Sequence, residues 1–182
     1  VTPYDEFVEL TEQIGLPNRH VARVGAFDDL PEQERQAAHH VNDAALIILH
    51  VFAFEDFYRH YLPHNMPSYG GPGAPHSSKL KRLAGVAYRA GLLDEALCLL
   101  GPADEVVAIR DLYAHGLGRR SGLRQVGSLA PEVLVRYGFE TDGDANDPQS
   151  RWWPSRFRSF ARCVRPLLRA AEWVHANLRQ CS

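Results

Sequence analysis

Apolar positions recur along this chain at helical spacing and nowhere convincingly alternate as in a strand. The pattern is sharpest near the C-terminus. From Ser155, a capping residue, Phe157, Phe160, Val164, Leu167, Ala171, Val174 and Leu178 step by three and four, the seam of a helix packed along a neighbour. Pro166 falls inside that helix and is expected to kink it. At the other end Thr2 is placed to cap a helix over Pro3 to Ile14, with Phe7, Leu10 and Ile14 on one face and Gly15-Leu16-Pro17 as its stop.

Asp29-Leu30-Pro31-Glu32 has the form of a capping box with proline in the first turn, opening a helix that runs to Leu62. At about 1.5 Å per residue such a helix spans roughly 45 Å. Ala37, Val41, Ala45, Ile48 and Phe52 mark one apolar stripe on it, and Leu46, Ile47, Leu49 and Phe54 widen the stripe beyond one face. A helix this apolar is packed on more than one side, at the centre of a bundle or against another subunit.

Prolines and glycines make residues 63–76 a loop, long for a bundle connection and therefore functional or disordered. Ser77 or Ser78 caps a helix over Lys79 to Ala90, and a short helix follows through Leu92 to Leu100. Gly101-Pro102 sets a break before a helix from Ala103 to His115, stopped by Gly116 and Gly118. Pro131 to Tyr137 is one or two helical turns, and Thr141 to Pro154 reads as loop. The expected fold is all-α: an antiparallel bundle of four to five main helices with a long Pro/Gly-rich loop insertion, residues 1–182 forming one domain. Val1 in place of methionine fits a removed initiator or a segment of a longer protein.

Composition changes this picture little, with 45% hydrophobic and 23% charged residues, ordinary for a soluble globular domain. The longest apolar run, Ala44 to Phe54, is well short of the ~20 residues of a spanning helix, so no membrane partner is expected. Cys98, Cys163 and Cys181 have no metal spacing. Cys98 among leucines and Cys163 in a helical pattern read as small core residues in a cytoplasmic protein. Charge distribution says more. The net charge of −2 hides 8 basic against 15 acidic residues up to Ile109, and 12 basic, all arginine, against 7 acidic from Arg110 onward. Arginine suits phosphate, although a GC-rich genome also replaces lysine with arginine.

Most catalytic constellations are missing. Nine histidines, six of them between His39 and His76, raise a metal-binding bundle as one class, but no paired Glu-x-x-His or His-Glu-x-x-His motif occurs. Asp56 and His60, one turn apart, read as a hydrogen-bonded pair, and His39 and His40 as surface residues. Asp142 to Asn146 imitates the start of a calcium loop but continues with Asp147 and Trp153 where glycine and glutamate are required, and so reads as a solvated acidic turn. The Gly-Gly-Pro-Gly string lacks the strand and lysine of a phosphate loop, and no nucleophile elbow is present. Neither metal nor cofactor is expected.

What remains is Arg110-Asp111-Leu112-Tyr113-Ala114-His115-Gly116, late in a helix and at the onset of the positive half. A guanidinium grips phosphate and an imidazole moves protons near neutral pH. On a regular helix a spacing of five turns about 140°, so Arg110 and His115 are not expected on one face. Either the helix unwinds at its end or a two-fold dimer assembles one site from two copies.

The stretch resembles the HEPN superfamily, whose mark is an arginine followed after four to six residues by a histidine, with a polar residue next to the arginine and a common Ala-His-Gly ending. The resemblance implies a metal-independent endoribonuclease, of toxin–antitoxin or antiphage type, acting as a homodimer with a composite active site. It implies that Arg110 holds the scissile phosphate, that His115 assists proton transfer, and that Asp111 takes the polar position where asparagine is frequent. The products would be a 2′,3′-cyclic phosphate and a 5′-hydroxyl. Arg119, Arg120 and Arg124 are candidate RNA contacts, and an antitoxin or defence protein is an expected partner. Leu117 stands where one subgroup carries a modifiable tyrosine, so that form of regulation is not implied. The alternative is a non-catalytic module of the same type that binds RNA, nucleotide or protein.

Overall fold

The computed structural model describes residues 1–25, 27–116, 118–123, 129–155 and 158–180, with residues 17–24 and 158 described in their backbone alone. Six helices, α1 (Pro3–Val24), α2 (Glu32–Arg59), α3 (Ser78–Arg89), α4 (Leu93–Gly116), α5 (Pro131–Arg136) and α6 (Arg158–Asn177), account for most of it. The protein is 65% helical, an all-α bundle carrying one small sheet. That sheet is antiparallel, β1 (Phe139–Thr141) on β2 (Trp152–Pro154), with Phe139 opposite Pro154 and Thr141 opposite Trp152. Three-residue strands are too short to impose a period of two on the sequence, which is why this segment read as loop.

Helix α1 begins on a reciprocal cap: Thr2 Oγ1 accepts from Asp5 N–H at 3.2 Å, and Asp5 Oδ2 accepts from Thr2 N–H at 2.8 Å. The Thr2 N–H and, at 2.8 Å, the Thr2 hydroxyl both donate to that carboxylate and hold it below the usual range. The helix does not stop at Gly15-Leu16-Pro17 but runs to Val24. An internal proline removes one backbone bond, and here the turns on either side persist. Pro102 corrects the sequence reading in the same way, because α4 passes through Gly101-Pro102 without the expected break. Tyr137 Oη donates to the Pro102 carbonyl at 3.0 Å, fixing the chain at this point.

The long helix α2 carries the largest correction. It packs against α1, α4 and α6, but through Ile47, Val51, Phe54 and Tyr58, whereas Val41, Leu49 and Phe52 are exposed. The expected stripe is thus the outer face. Apolar residues surround α2, and its core face also holds Asp43, His50 and Glu55, so polarity pointed the wrong way. By length and hydropathy α2 would also pass as a membrane-spanning helix, contrary to the sequence reading; its packing on three helices accounts for that apolar character. No capping box forms at its start, where Pro31 occupies the cap position and Glu32 Oε1 accepts from Gln36 Nε2 at 2.8 Å.

Helix α6 keeps its seam in Leu167, Ala171 and Val174, with Leu178 buried just past its end, but Cys163 and Ala170 are fully buried while Val164 is only partly so. Phe157 lies outside the described residues, as does Cys181. Burial pushes the Cys163 thiol above its ordinary value. Cys98, expected in the core, is exposed. The six-residue α5 falls at the turns expected over Pro131 to Tyr137.

His50, 2% exposed, sits edge-on to Phe160 with Nδ1 2.7 Å from the Leu46 carbonyl, which assigns the proton to Nδ1. Burial lowers its pKa, and the carbonyl bond opposes that shift only in part. The unfolded chain therefore binds more protons than the folded one at mildly acid pH. Stability is expected to be fully present above about pH 6.5, the unperturbed histidine value, and to be lost as pH falls toward the lowered folded value. Melting temperatures between pH 7.5 and 5 should show this fall. A slope left unchanged by His50→Gln would contradict it.

Candidate active site

Three elements and one loop meet around a cleft of about 490 Å³. Helix α4 supplies one wall with Asp104, Val107, Ala108, Arg110, Asp111 and His115, and α2 contributes Glu55. The loop after α2 and the start of α3 supply His76, Ser77 and Lys79. Residues 63–76 are neither helical nor a free insertion. Tyr69 N–H donates to the Lys81 carbonyl at 2.9 Å, and a Cβ on Gly85 would lie 2.3 Å from the Pro67 carbonyl, so the loop lies flat on α3.

Asp104 fixes the far end of that loop. Its carboxylate, 5% exposed, accepts from the backbone N–H groups of His76 at 2.6 Å and Ser77 at 2.8 Å. Charge-assisted bonds of this kind are the stronger ones. They replace the serine side-chain cap expected for α3, since Ser77 stands at the cap position without making that bond. Asp104→Ala is expected to leave two N–H groups without their acceptor, lowering stability by about 2 kcal/mol and increasing amide exchange at His76 and Ser77. Unaltered exchange at those amides would show that the loop is held by other means.

Arg110 is 13% exposed and held on three sides. Its Nη2 donates to Glu55 Oε1 at 2.9 Å. Nε lies 2.8 Å from Asp111 Oδ1, near enough for an ion pair but without hydrogen-bond alignment. The guanidinium carbon stands 5.3 Å from the centroid of the Phe52 ring. Glu55 in turn accepts from Lys79 Nζ at 2.7 Å, so one buried carboxylate joins two cations from different helices. Asp111 Oδ1 also faces His115 Nε2 at 3.9 Å.

Arg110 and His115 therefore line one cleft within a single chain, which corrects the expectation from helical angle. Asp111 and His115 are four apart and share a face, and Arg110 reaches back across Asp111 on its long side chain. The helix need not unwind to achieve this, since α4 continues through Gly116. Behind it the chain doubles back so closely that a Cβ on Gly122 would lie 2.4 Å from Gly116 Cα. That return places Leu123 in the cleft wall.

The other expected contacts fare unevenly. Arg120 is 6% exposed and its Nη2 donates to the carbonyls of Ala145 at 2.9 Å and Asn146 at 3.0 Å, an anchor for the acidic turn. The backbone of Arg119 pairs with that of Arg151 in an isolated antiparallel β-bridge, and Arg119 is not among the residues lining the cleft. Arg124 and Leu117 lie outside the described residues. Asp142, Asp144 and Asp147 each accept a backbone N–H of their own turn, from Arg151, Asn146 and Gln149. Among the described residues no group of His, Cys, Asp and Glu is arranged to hold a metal. Asp56 reaches Arg59 at 3.4 Å, and His40 Nδ1 lies 2.9 Å from the Pro154 carbonyl, half-buried against Trp153.

Glu55, Lys79, Asp104 and His76 escaped the sequence reading because 24 or more residues separate the bonded partners. One signal was present: Glu55 and Asp56 close the most apolar run of α2, and of the two Glu55 is the one buried. No family model, no curated protein and no solved structure matches this chain.

Proposed function

We propose that the cleft is the active site of a metal-independent, HEPN-type endoribonuclease, belonging to a toxin or antiphage-defence system. The observation that carries this reading is the convergence of Arg110, Lys79, His115 and His76 on one open cleft. A guanidinium offers five N–H donors, and carboxylates occupy only part of that fork, so Glu55 and Asp111 aim Arg110 while leaving donors for a phosphate. Lys79 adds a second cation from the opposite wall. His115 takes the proton of the ribose 2′-hydroxyl, and the Asp111 carboxylate favours the imidazolium that forms. The 2′-oxygen bonds to phosphorus, the bond from phosphorus to the 5′-oxygen breaks, and His76 gives that oxygen a proton. The products are a 2′,3′-cyclic phosphate and a 5′-hydroxyl.

The exposed stripe of α2 supports a homodimer. Val41, Leu49 and Phe52 form an exposed apolar face, and Phe52 covers the Arg110 guanidinium, so a second copy seated there would adjoin the site. A self-complementary interface of this kind is the commonest way to pair identical chains. The competing reading, a binding module that does not cut, draws on the neutralisation of Arg110 by two carboxylates. RNA incubated with the protein in EDTA separates the two. Cleavage lost in Arg110→Ala and His115→Ala supports the nuclease; intact RNA with a folded wild-type protein supports the module.

A further inference from the structure

A second cleft, of about 680 Å³, opens between α4, α5 and α6. It lies on another side of α4: Cys98, Pro102 and Glu105 line it, whereas Asp104, Asp111 and His115 face the first cleft. Its floor is aliphatic, from Leu99, Pro102, Ala161 and Pro166, and its volume is that of a small-molecule site. Arg162, Arg165 and Arg169 edge it from α6. Their spacing of three and four sets them on one face over roughly 10 Å.

The four arginines at this cleft are not equivalent. Arg136 pairs with Glu105, and Arg162 Nη1 donates to the Arg136 carbonyl at 2.9 Å. Among the described residues Arg165 and Arg169 have no hydrogen bond or ion pair. Two uncommitted guanidiniums above an aliphatic floor match an anion with an apolar tail, because guanidinium pairs with carboxylate or phosphate in a forked geometry. A nucleic-acid strand fits less well. Strand sites stack bases on aromatic faces, and among the described residues the one ring lining this cleft, Tyr137, lies under Arg136 with its hydroxyl bound to the Pro102 carbonyl and Glu105.

We propose that this cleft binds a small aliphatic anion, an alkyl chain ending in phosphate or carboxylate, independently of the nuclease reading. Titration of the full chain with decyl phosphate, decanoate and inorganic phosphate tests it. The alkyl anions are expected to bind once per chain, at least tenfold more tightly than inorganic phosphate. Arg165→Ala with Arg169→Ala should weaken them at least tenfold by removing the charge. Ala161→Trp, at an exposed position, should weaken them comparably by filling the floor with the arginines intact. Bound decyl phosphate should also slow alkylation of the exposed Cys98 in a Cys181→Ser background, where the remaining Cys163 is buried. Equal affinity for inorganic phosphate, indifference to Ala161→Trp, displacement by an RNA oligonucleotide, or capture on phosphatidylglycerol vesicles without one-to-one binding would each overturn the proposal.

Discussion

Arg110→Ala and His115→Ala are each expected to lower the rate of RNA cleavage by about 10²- to 10⁴-fold, the range for losing a positioned acid or base or a charge-stabilising donor. The two losses should differ in kind. Arg110 lies beside Glu55 and Asp111, so its removal leaves two carboxylates facing a phosphate, and substrate binding should weaken along with turnover. His115 is exposed and, among the described residues, has Asp111 as its charged neighbour, so its removal should reduce kcat with little change in KM. His76→Ala should lose as much on ordinary RNA but recover to within a few-fold of wild type on a linkage with sulfur at the bridging 5′ position, because a thiolate leaves without protonation. Rescue of His115→Ala in place of His76→Ala would reverse the two roles.

Glu55→Ala is expected to cost about 3 kcal/mol of stability, the low end for breaking a buried ion pair. Glu55 is 7% exposed and bridges α2 to both α3 and α4. Its loss strands Arg110, which keeps Asp111, and frees Lys79, which is partly solvated and loses less. Glu55→Gln, which keeps the shape and one acceptor, should cost less than half as much. Denaturant midpoints at constant slope measure both changes. A Glu55→Ala effect within about 0.5 kcal/mol, the range for ordinary surface changes, would show that the carboxylate does not tie the three helices together.

The sequence made the helices legible where one side of the pattern was polar. The three-four steps of α6 located Leu167, Ala171 and Val174 in the core because exposed arginines occupy the other faces. In α2 the same reasoning selected the exposed stripe, since Asp43, His50 and Glu55 sit on the buried side and find partners there. Breakers misled where tertiary contacts outweighed them, as at Pro102 under Tyr137. Arg110, Asp111 and His115 were legible as a candidate site because they lie within six residues of one another. Glu55, Lys79 and His76 were not, because the folding of α2, α3 and their connecting loop onto α4 brings them there. The helical angle between Arg110 and His115 misleads for a related reason: it follows Cα directions, and an arginine side chain is long enough to cancel them.

On the proposed reading, this cleft is expected to cut RNA through the substrate's own 2′-hydroxyl. An oligonucleotide of deoxyribose with a single ribonucleotide, incubated with the protein in EDTA, addresses it most directly. The expected result is one cut, on the 3′ side of the ribose, leaving a 2′,3′-cyclic phosphate and a 5′-hydroxyl, and absent in His115→Ala. Cutting of the all-deoxyribose strand, or cutting at the ribose that His115→Ala retains in full, would contradict it.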